Sequence, residues 1–205
     1  MSSAIKLPRR RSIAIVADGP SAAMLITITL PQEIYCIGIN HASIWLPRCD
    51  AYMTACADHR QRWVMNNQRQ GVRYFAAVSM EYGSRIAKEP GKSPREKNVT
   101  FFREFSGSMS DDPRYCSVGI EGYPRNSVYA GLNLALHLKA ERVAIFGLDC
   151  SARPRVSGGI AGDMKHLPAL FERYDGSAKV INASPGSPVS AFPICSPSEA
   201  IAWLL

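Results

Sequence analysis

Residues 12–21 read Ser-Ile-Ala-Ile-Val-Ala-Asp-Gly-Pro-Ser. Ile13 to Ala17 form an unbroken apolar run, with Arg9, Arg10 and Arg11 before it and Asp18-Gly19-Pro20-Ser21 after it. A short apolar run between polar ends reads as a strand buried on both faces, the kind found at the centre of a parallel sheet. The Gly-Pro pair ends it sharply. The loop after the first central strand is where an α/β sheet usually receives its ligand. Gly19 would let a phosphate approach the backbone with no Cβ in the way. Ser21 would cap a following helix whose free N–H groups face an anion. The same ten residues also fit a tight strand-to-helix turn that binds nothing.

The chain has 205 residues, enough for one domain with a full core. Its hydrophobic fraction of 46% and charged fraction of 20% place it among ordinary globular proteins rather than disordered or fibrous ones. No apolar stretch is long enough to cross a membrane, so no membrane partner is expected. Met1 to Pro8 lacks the apolar core of a signal peptide. The six cysteines are Cys36, Cys49, Cys56, Cys116, Cys150 and Cys195, and none forms a C-x-x-C pair. No metal site is therefore expected, and a reduced, cytoplasmic compartment fits best. The net charge of +7 favours anionic partners, among them nucleotides, nucleic acids and anionic glycans. Residues 1–11 read as a solvated basic arm.

The rhythm of the first stretch repeats along the chain. Glu33 to Ile39 is a second strand ending at Asn40-His41, and Cys49 to Ala57 is a third ending at Asp58-His59-Arg60. A parallel sheet would place all three tips along one rim. A short helix is expected over Ala22 to Ile28, and Gln61 to Gln70 has helical tendency. Val72 to Val78 and Val99 to Phe105 read as strands. Between them lies a basic insertion, residues 80–98, carrying Arg85, Lys88, Lys92, Arg95 and Lys97. It can clamp an acceptor or a phosphate, or simply be a solvated excursion. Gly107 to Gly122 reads as irregular. Ser127 is the expected N-cap of a helix through Lys139. Arg142 to Leu148 is the clearest strand of the second half, with Asp149 at its tip. Arg153 to Gly162 reads as a loose loop, Met164 to Tyr174 as a helix and Lys179 to Ala183 as a last strand. Ser196-Pro197-Ser198-Glu199 matches a capping box opening a terminal helix. The expectation is α/β: a single Rossmann-like domain with a mostly parallel sheet and helices on both faces.

The rim residues define the possible chemistry. Asn40 can hydrogen-bond a ribose or base. Asp18, Asp58 and Asp149 can accept from ribose hydroxyls or face a magnesium ion among phosphate oxygens. His166 is the leading acid–base candidate because imidazole titrates near neutrality, and His41, His59 and His137 compete with it. The dinucleotide fingerprint G-x-G-x-x-G is absent after the first strand, and so is a P-loop. No G-x-S-x-G elbow appears.

Ala17-Asp18-Gly19-Pro20-Ser21 resembles the G-N-G-P-S loop of two related Rossmann-like groups. They are the bacterial sialyltransferases of lipooligosaccharide synthesis and the archaeal-type 6-hydroxymethylpterin diphosphokinases with their relatives, some carried by phages. Ile37-Gly38-Ile39-Asn40 is similar to their second-strand tip, and Cys49-Asp50-Ala51-Tyr52 through Asp58 to their third strand. Asn126-Ser127 and Ile145-Phe146-Gly147-Leu148-Asp149 resemble their Ser-Gly helix and G-x-D strand end. Val180-Ile181-Asn182, Ser184 and Phe192-Pro193 resemble their last strand and its exit. The likeness runs in order over residues 12–200. Asp18 stands where the family has Asn, and Val128 where it often has Gly.

The resemblance implies a nucleotide-dependent transferase, foremost a glycosyltransferase with a nucleotide-sugar donor. Asp18, Gly19, Pro20, Ser21, Asn40, Asp58, Ser127 and Asn182 would then bind the nucleotide. His166 and Asp149 would be catalytic, His166 deprotonating the acceptor. The acceptor would be an anionic molecule, nucleic acid included. One alternative is a magnesium-dependent pyrophosphokinase acting on a hydroxymethylpterin-like alcohol, with magnesium as its cofactor. Another is a non-catalytic nucleotide- or nucleic-acid-binding phage accessory protein. No other cofactor is implied, and the oligomeric state is left open.

Overall fold

The computed structural model describes residues 7–56, 59–78, 98–151, 154–159 and 164–205, with the backbone alone for 59–62. The strands are β1 (Ser12–Val16), β2 (Tyr35–Ile39), β3 (Ala51–Thr54), β4 (Arg73–Val78), β5 (Val99–Phe105), β6 (Tyr115–Ser117), β7 (Arg142–Phe146) and β8 (Lys179–Asn182). They form one sheet in the order β6-β5-β4-β3-β2-β1-β7-β8, and every neighbouring pair is parallel. The helices are α1 (Ala42–Trp45), α2 (His59–Asn66), α3 (Ser127–His137), α4 (Leu167–Phe171) and α5 (Pro197–Leu204), with a 3-10 helix over Pro20–Ile26.

The central strand is β1, flanked by β2 on one side and β7 on the other. Ile13 to Val16 are all 0% exposed. Burying each such Ile or Val side chain stabilises by about 1.5–3 kcal/mol, which is why an unbroken apolar run occupies the middle of the sheet. The two faces separate by strand alternation. Ile13 and Ile15 join Ile37, Ile39 and Ile145 under α3 and α4. Ala14 and Val16 join Cys36, Ala144 and Phe146 beneath the 3-10 helix, α1 and α5. α2 covers Tyr52, Tyr74 and Ala76 through Val64 and Met65. The α/β sheet with helices on both faces is thus present as expected.

Several elements differ in detail. The helix expected over Ala22 to Ile28 is a 3-10 helix that starts at Pro20 and ends before Thr27. The β-branched run Ile26-Thr27-Ile28 disfavours continuation, and the Thr27 hydroxyl donates to the Met24 carbonyl. β6 lies inside residues 107–122, where the sequence reads as irregular. α1 fits into the short connection after β2 because Gly38 has no side chain; a Cβ there would lie 2.8 Å from Ser43 Cα. The cap of α3 is Asn126, not Ser127: its side chain accepts from Val128 N and Tyr129 N. The terminal capping box is formed as expected, by Ser196 and Glu199. Residues 80–97 of the basic insertion lie outside the described residues.

Some of the positive charge is used inside the fold. The Arg48 guanidinium donates to the carbonyls of Leu30, Pro31 and Ile34 and to Asp50. Arg69 donates to those of Ser43 and Leu46. Arg9 and Arg11 are exposed and both pair with Glu141 at the surface, while Arg10 stacks over the Tyr35 ring. Among the described residues no helix is long and apolar enough to cross a membrane.

Candidate functional site

The chain adds strands outward from β1 through β6, then returns across the sheet to place β7 on the other side of β1. That reversal leaves a crevice at the carboxyl ends of β1, β2 and β7, where open α/β sheets take ligands. A cavity of about 290 Å³ lies there, and the opening turn of α3 forms part of its wall. Its size is near the lower end of ordinary small-molecule sites.

The β1 and β7 tips are stitched together. Ala17 N donates to Phe146 O at 2.8 Å and Gly19 N to Gly147 O at 3.1 Å. A Cβ on Gly19 would sit 2.2 Å from Asp149 Oδ2 and 2.3 Å from Gly147 O. Gly147 has φ of 76°, and its own Cβ would lie 2.6 Å from Ala17 O. The missing Cβ at Gly19 therefore makes room for the chain's own Asp149 carboxylate. Ser21 is not an anion-facing cap. Its N–H donates to Asp149 Oδ2 at 3.1 Å and its hydroxyl to the same oxygen at 2.8 Å. The N-cap is Gly19, without a side-chain bond.

The other carboxylate in the wall, Asp18, is also held. Its Oδ1 accepts from Trp45 Nε1 at 2.9 Å and from Ser157 N at 3.0 Å. Its Oδ2 accepts from the Ser157 hydroxyl. Two carboxylates thus face the cavity with internal donors already on them. Among the described residues no group of three or more His, Cys, Asp or Glu is placed to hold a metal ion. Asp18 and Asp149 do not form a three-ligand set with any described residue.

The polar groups on the wall come from several elements. Asn40 has φ of 53°, a left-handed conformation that Asn tolerates better than most residues. Its Oδ1 accepts from the Thr54 hydroxyl at 2.8 Å, which orients the amide N–H₂ as the group it can offer. Ser127, at the first position of α3, has a backbone N–H with no intrahelical acceptor, and its hydroxyl accepts from Ala55 N at 3.0 Å. His41 lies in the wall beside Asn40. After β7, Cys150 has φ of 51°, and burial, with Asp149 adding to it, pushes its thiol up to about 11. The Ser151 hydroxyl is buried there without a partner among the described residues. Arg155 completes the wall.

Of the residues expected from sequence, Asp18, Gly19, Pro20, Asn40, Ser127 and Asp149 line the cavity together. Ser21 stands behind the wall on Asp149. Asn182 does not reach it: the residue is fully buried, its amide donates to Val189 O and its Oδ1 accepts from Ser184 N. His166 caps α4 between two lining residues, Met164 and Leu167, and is not itself in the wall. Asp58 lies outside the described residues. Among the described residues the histidine in the wall is His41, a competitor on sequence alone. Arg155 and Ser151 had no separate signal, because they sit in or beside a Gly- and Arg-rich stretch that reads as loose.

No family model matches the chain, and no curated protein matches it in sequence. Among solved structures, the chain is similar to the sialyltransferase CstII from Campylobacter jejuni, in complex with the substrate analogue CMP-3FNeuAc. Identity is 14%, the match covers 91% of this chain and 86% of that one, and the TM-score is 0.49. Likeness at that level is no guide to chemistry. The Rossmann-like α/β architecture stands on this chain's own strand order and pairing.

Proposed function

We propose that the chain is a nucleotide-dependent transferase, a glycosyltransferase that takes a nucleotide-sugar donor in the cavity between the tips of β1, β2 and β7. The observation that supports this is the cavity's place at the topological switch point, walled by Asn40, Ser127 and the stitched β1 and β7 tips. The order of motifs shared with the sialyltransferase group agrees with it.

In this reading Asn40 and Ser127 hold the nucleotide, and the N-terminal end of α3 favours its negative charge. Asp18 and Asp149 shape the wall rather than bind the donor, because their oxygens are engaged by Trp45, Ser157 and Ser21. His41, which lines the cavity, would take the proton of an acceptor hydroxyl. The acceptor oxygen forms its bond to the anomeric carbon as the nucleotide leaves with the electron pair of the broken C–O bond.

The test is a thermal-shift panel of CMP, UDP, GDP, ADP and ATP, each with and without magnesium. A ligand at ~100 times its dissociation constant adds about 2.7 kcal/mol to the folded state. A magnesium-independent shift with one nucleotide is the expected result and names the donor base. A magnesium-dependent shift with ATP alone would point instead to pyrophosphoryl transfer. No shift with any nucleotide would overturn both, and leave nucleic acid as the anionic partner to examine.

A further inference from the structure

The segment that carries Arg155 is clamped onto the cavity by the β1 tip. Val156 N donates to Asp18 O at 3.0 Å, while Ser157 gives its N–H to Asp18 Oδ1 at 3.0 Å and its hydroxyl to Oδ2. The turn is closed on itself by Arg155 N to Gly159 O and Gly158 N to Arg155 O, each 3.0 Å. Asp18 is braced from the other side by Trp45 Nε1 at 2.9 Å. Arg155 is half-buried in the cavity wall, and among the described residues no carboxylate pairs with its guanidinium. Asp18 and Asp149, the acids of the same wall, already accept from other donors, Asp18 from Trp45 and Ser157 and Asp149 from Ser21. Four positions earlier in the chain, the Ser151 hydroxyl is buried in the wall without a partner among the described residues. A wall with one unpaired guanidinium and one unsatisfied hydroxyl is built to receive an oxyanion.

The geometry points to Arg155 and Ser151 as a phosphate subsite of this cavity, with Asp18 as the positioning residue that holds Arg155 in place through Ser157. The subsite rests on the nucleotide reading above, and names what binds the phosphate. It also explains why an acid stands at position 18 beside an anion site. Asp18 is there to receive Ser157 and Trp45, not to meet the ligand.

The experiment is calorimetric titration of the full chain with CMP, UMP, GMP and AMP, with the matching nucleosides, and with inorganic pyrophosphate. Arg155→Ala should weaken the binding mononucleotide and pyrophosphate by roughly 10- to 100-fold, the worth of a charged hydrogen bond, and leave the nucleoside unchanged. Arg155→Lys should recover part of that loss, since it keeps the charge and loses the fork. Asp18→Asn can keep the clamp, because Oδ1 still accepts and the new amide can donate to the Ser157 hydroxyl. It should therefore bind nucleotide as well as the wild type or better. Asp18→Ala should lose phosphate affinity as Arg155→Ala does. If that variant does not fold, Ser157→Ala serves, with a severalfold loss expected. Nucleotide binding unchanged in Arg155→Ala would overturn the subsite and leave the nucleotide site standing. Asp18→Asn as weak as Asp18→Ala would overturn the positioning role. Pyrophosphate binding that depends on Arg155, with no nucleotide bound, would keep the subsite and overturn the nucleotide reading. Binding of neither would overturn both.

Discussion

Gly19 shows how one missing atom organises the site. Its neighbours at the would-be Cβ are an Asp149 carboxylate oxygen at 2.2 Å and the Gly147 carbonyl oxygen at 2.3 Å. The second is backbone and cannot swing away. Gly19→Ala must therefore part the β1 and β7 tips or displace Asp149 from Ser21. Overpacking of this kind costs about 1–3 kcal/mol, and urea denaturation should show a loss in that range. An alanine variant as stable as the wild type would mean that the tips are not stitched. Strain also gathers here. Of the three non-glycine residues with positive φ among the described residues, Asn40 and Cys150 line the cavity, and the third, Lys139, follows the end of α3. Residues held in sparsely populated conformations persist where the surrounding packing over-determines them.

At the scale of elements, α3 joins the core to the cavity. It is buried nearly all round, and Gly131 lets its backbone close on Ile15 and Ile39 of the sheet. Its first turn is held by Asn126, whose Oδ1 accepts from Val128 N at 2.8 Å and Tyr129 N at 3.0 Å. Asn126→Ala removes both bonds and should cost about 1 kcal/mol by chemical denaturation, with Asn126→Asp restoring most of it. A change smaller than a few tenths would mean that Ser127 or water takes over the cap. α3 also explains the strand hidden within residues 107–122. Asn133, on its buried side, accepts from Ser117 N at 2.7 Å and from Ser110 N at 3.1 Å. β6 is three residues long and is held by a helix side chain as well as by β5. Too few residues alternate there to leave a pattern in the sequence. The longer strands are legible for the opposite reason: the expected ends of β2, β4 and β5 coincide with the observed ones, and those of β1, β3, β7 and β8 overshoot by one to three residues where the tip loops begin.

For the molecule as a whole, the buried His137 couples stability to pH. It is 5% exposed, its Nε2 faces Asn133 Nδ2 at 3.1 Å, and its ring packs against Phe102. Burial, with the Lys139 charge adding to it, holds its pKa below the ordinary 6.5, outweighing the opposing charges of Asp112 and Asp111. The unfolded chain therefore binds the proton first. The stabilisation is fully present above pH 6.5 and falls as the pH drops from there through the folded pKa. Thermal melting between pH 7.5 and 5.5 should show the midpoint declining below about pH 6.5, and His137→Gln should flatten that decline. An equal slope in the variant would assign it to other groups. Among the described residues the carboxylates whose pKa is lowered, Asp112, Glu141 and Glu199, titrate in a more acid range and do not confound the comparison.

The amino-acid sequence by itself determined the parallel α/β architecture, seven of the eight strands and the side of the sheet where polar tips collect. Those properties are written in contiguous residues: a buried strand must be an apolar run, and a tip must break it. It also singled out Asp18, Gly19, Asn40, Ser127 and Asp149 as rim residues. Only the tertiary structure decided what they do. Asp149 turns to Ser21, Asp18 turns to Ser157 and Trp45, Asn182 turns into the core, and Arg155 is brought from a stretch without pattern to the cavity wall. The reason is that these partners lie up to 139 positions apart in the chain. They meet because β7 returns beside β1, and that return is fixed by packing on both faces of the sheet, which no local stretch of residues encodes.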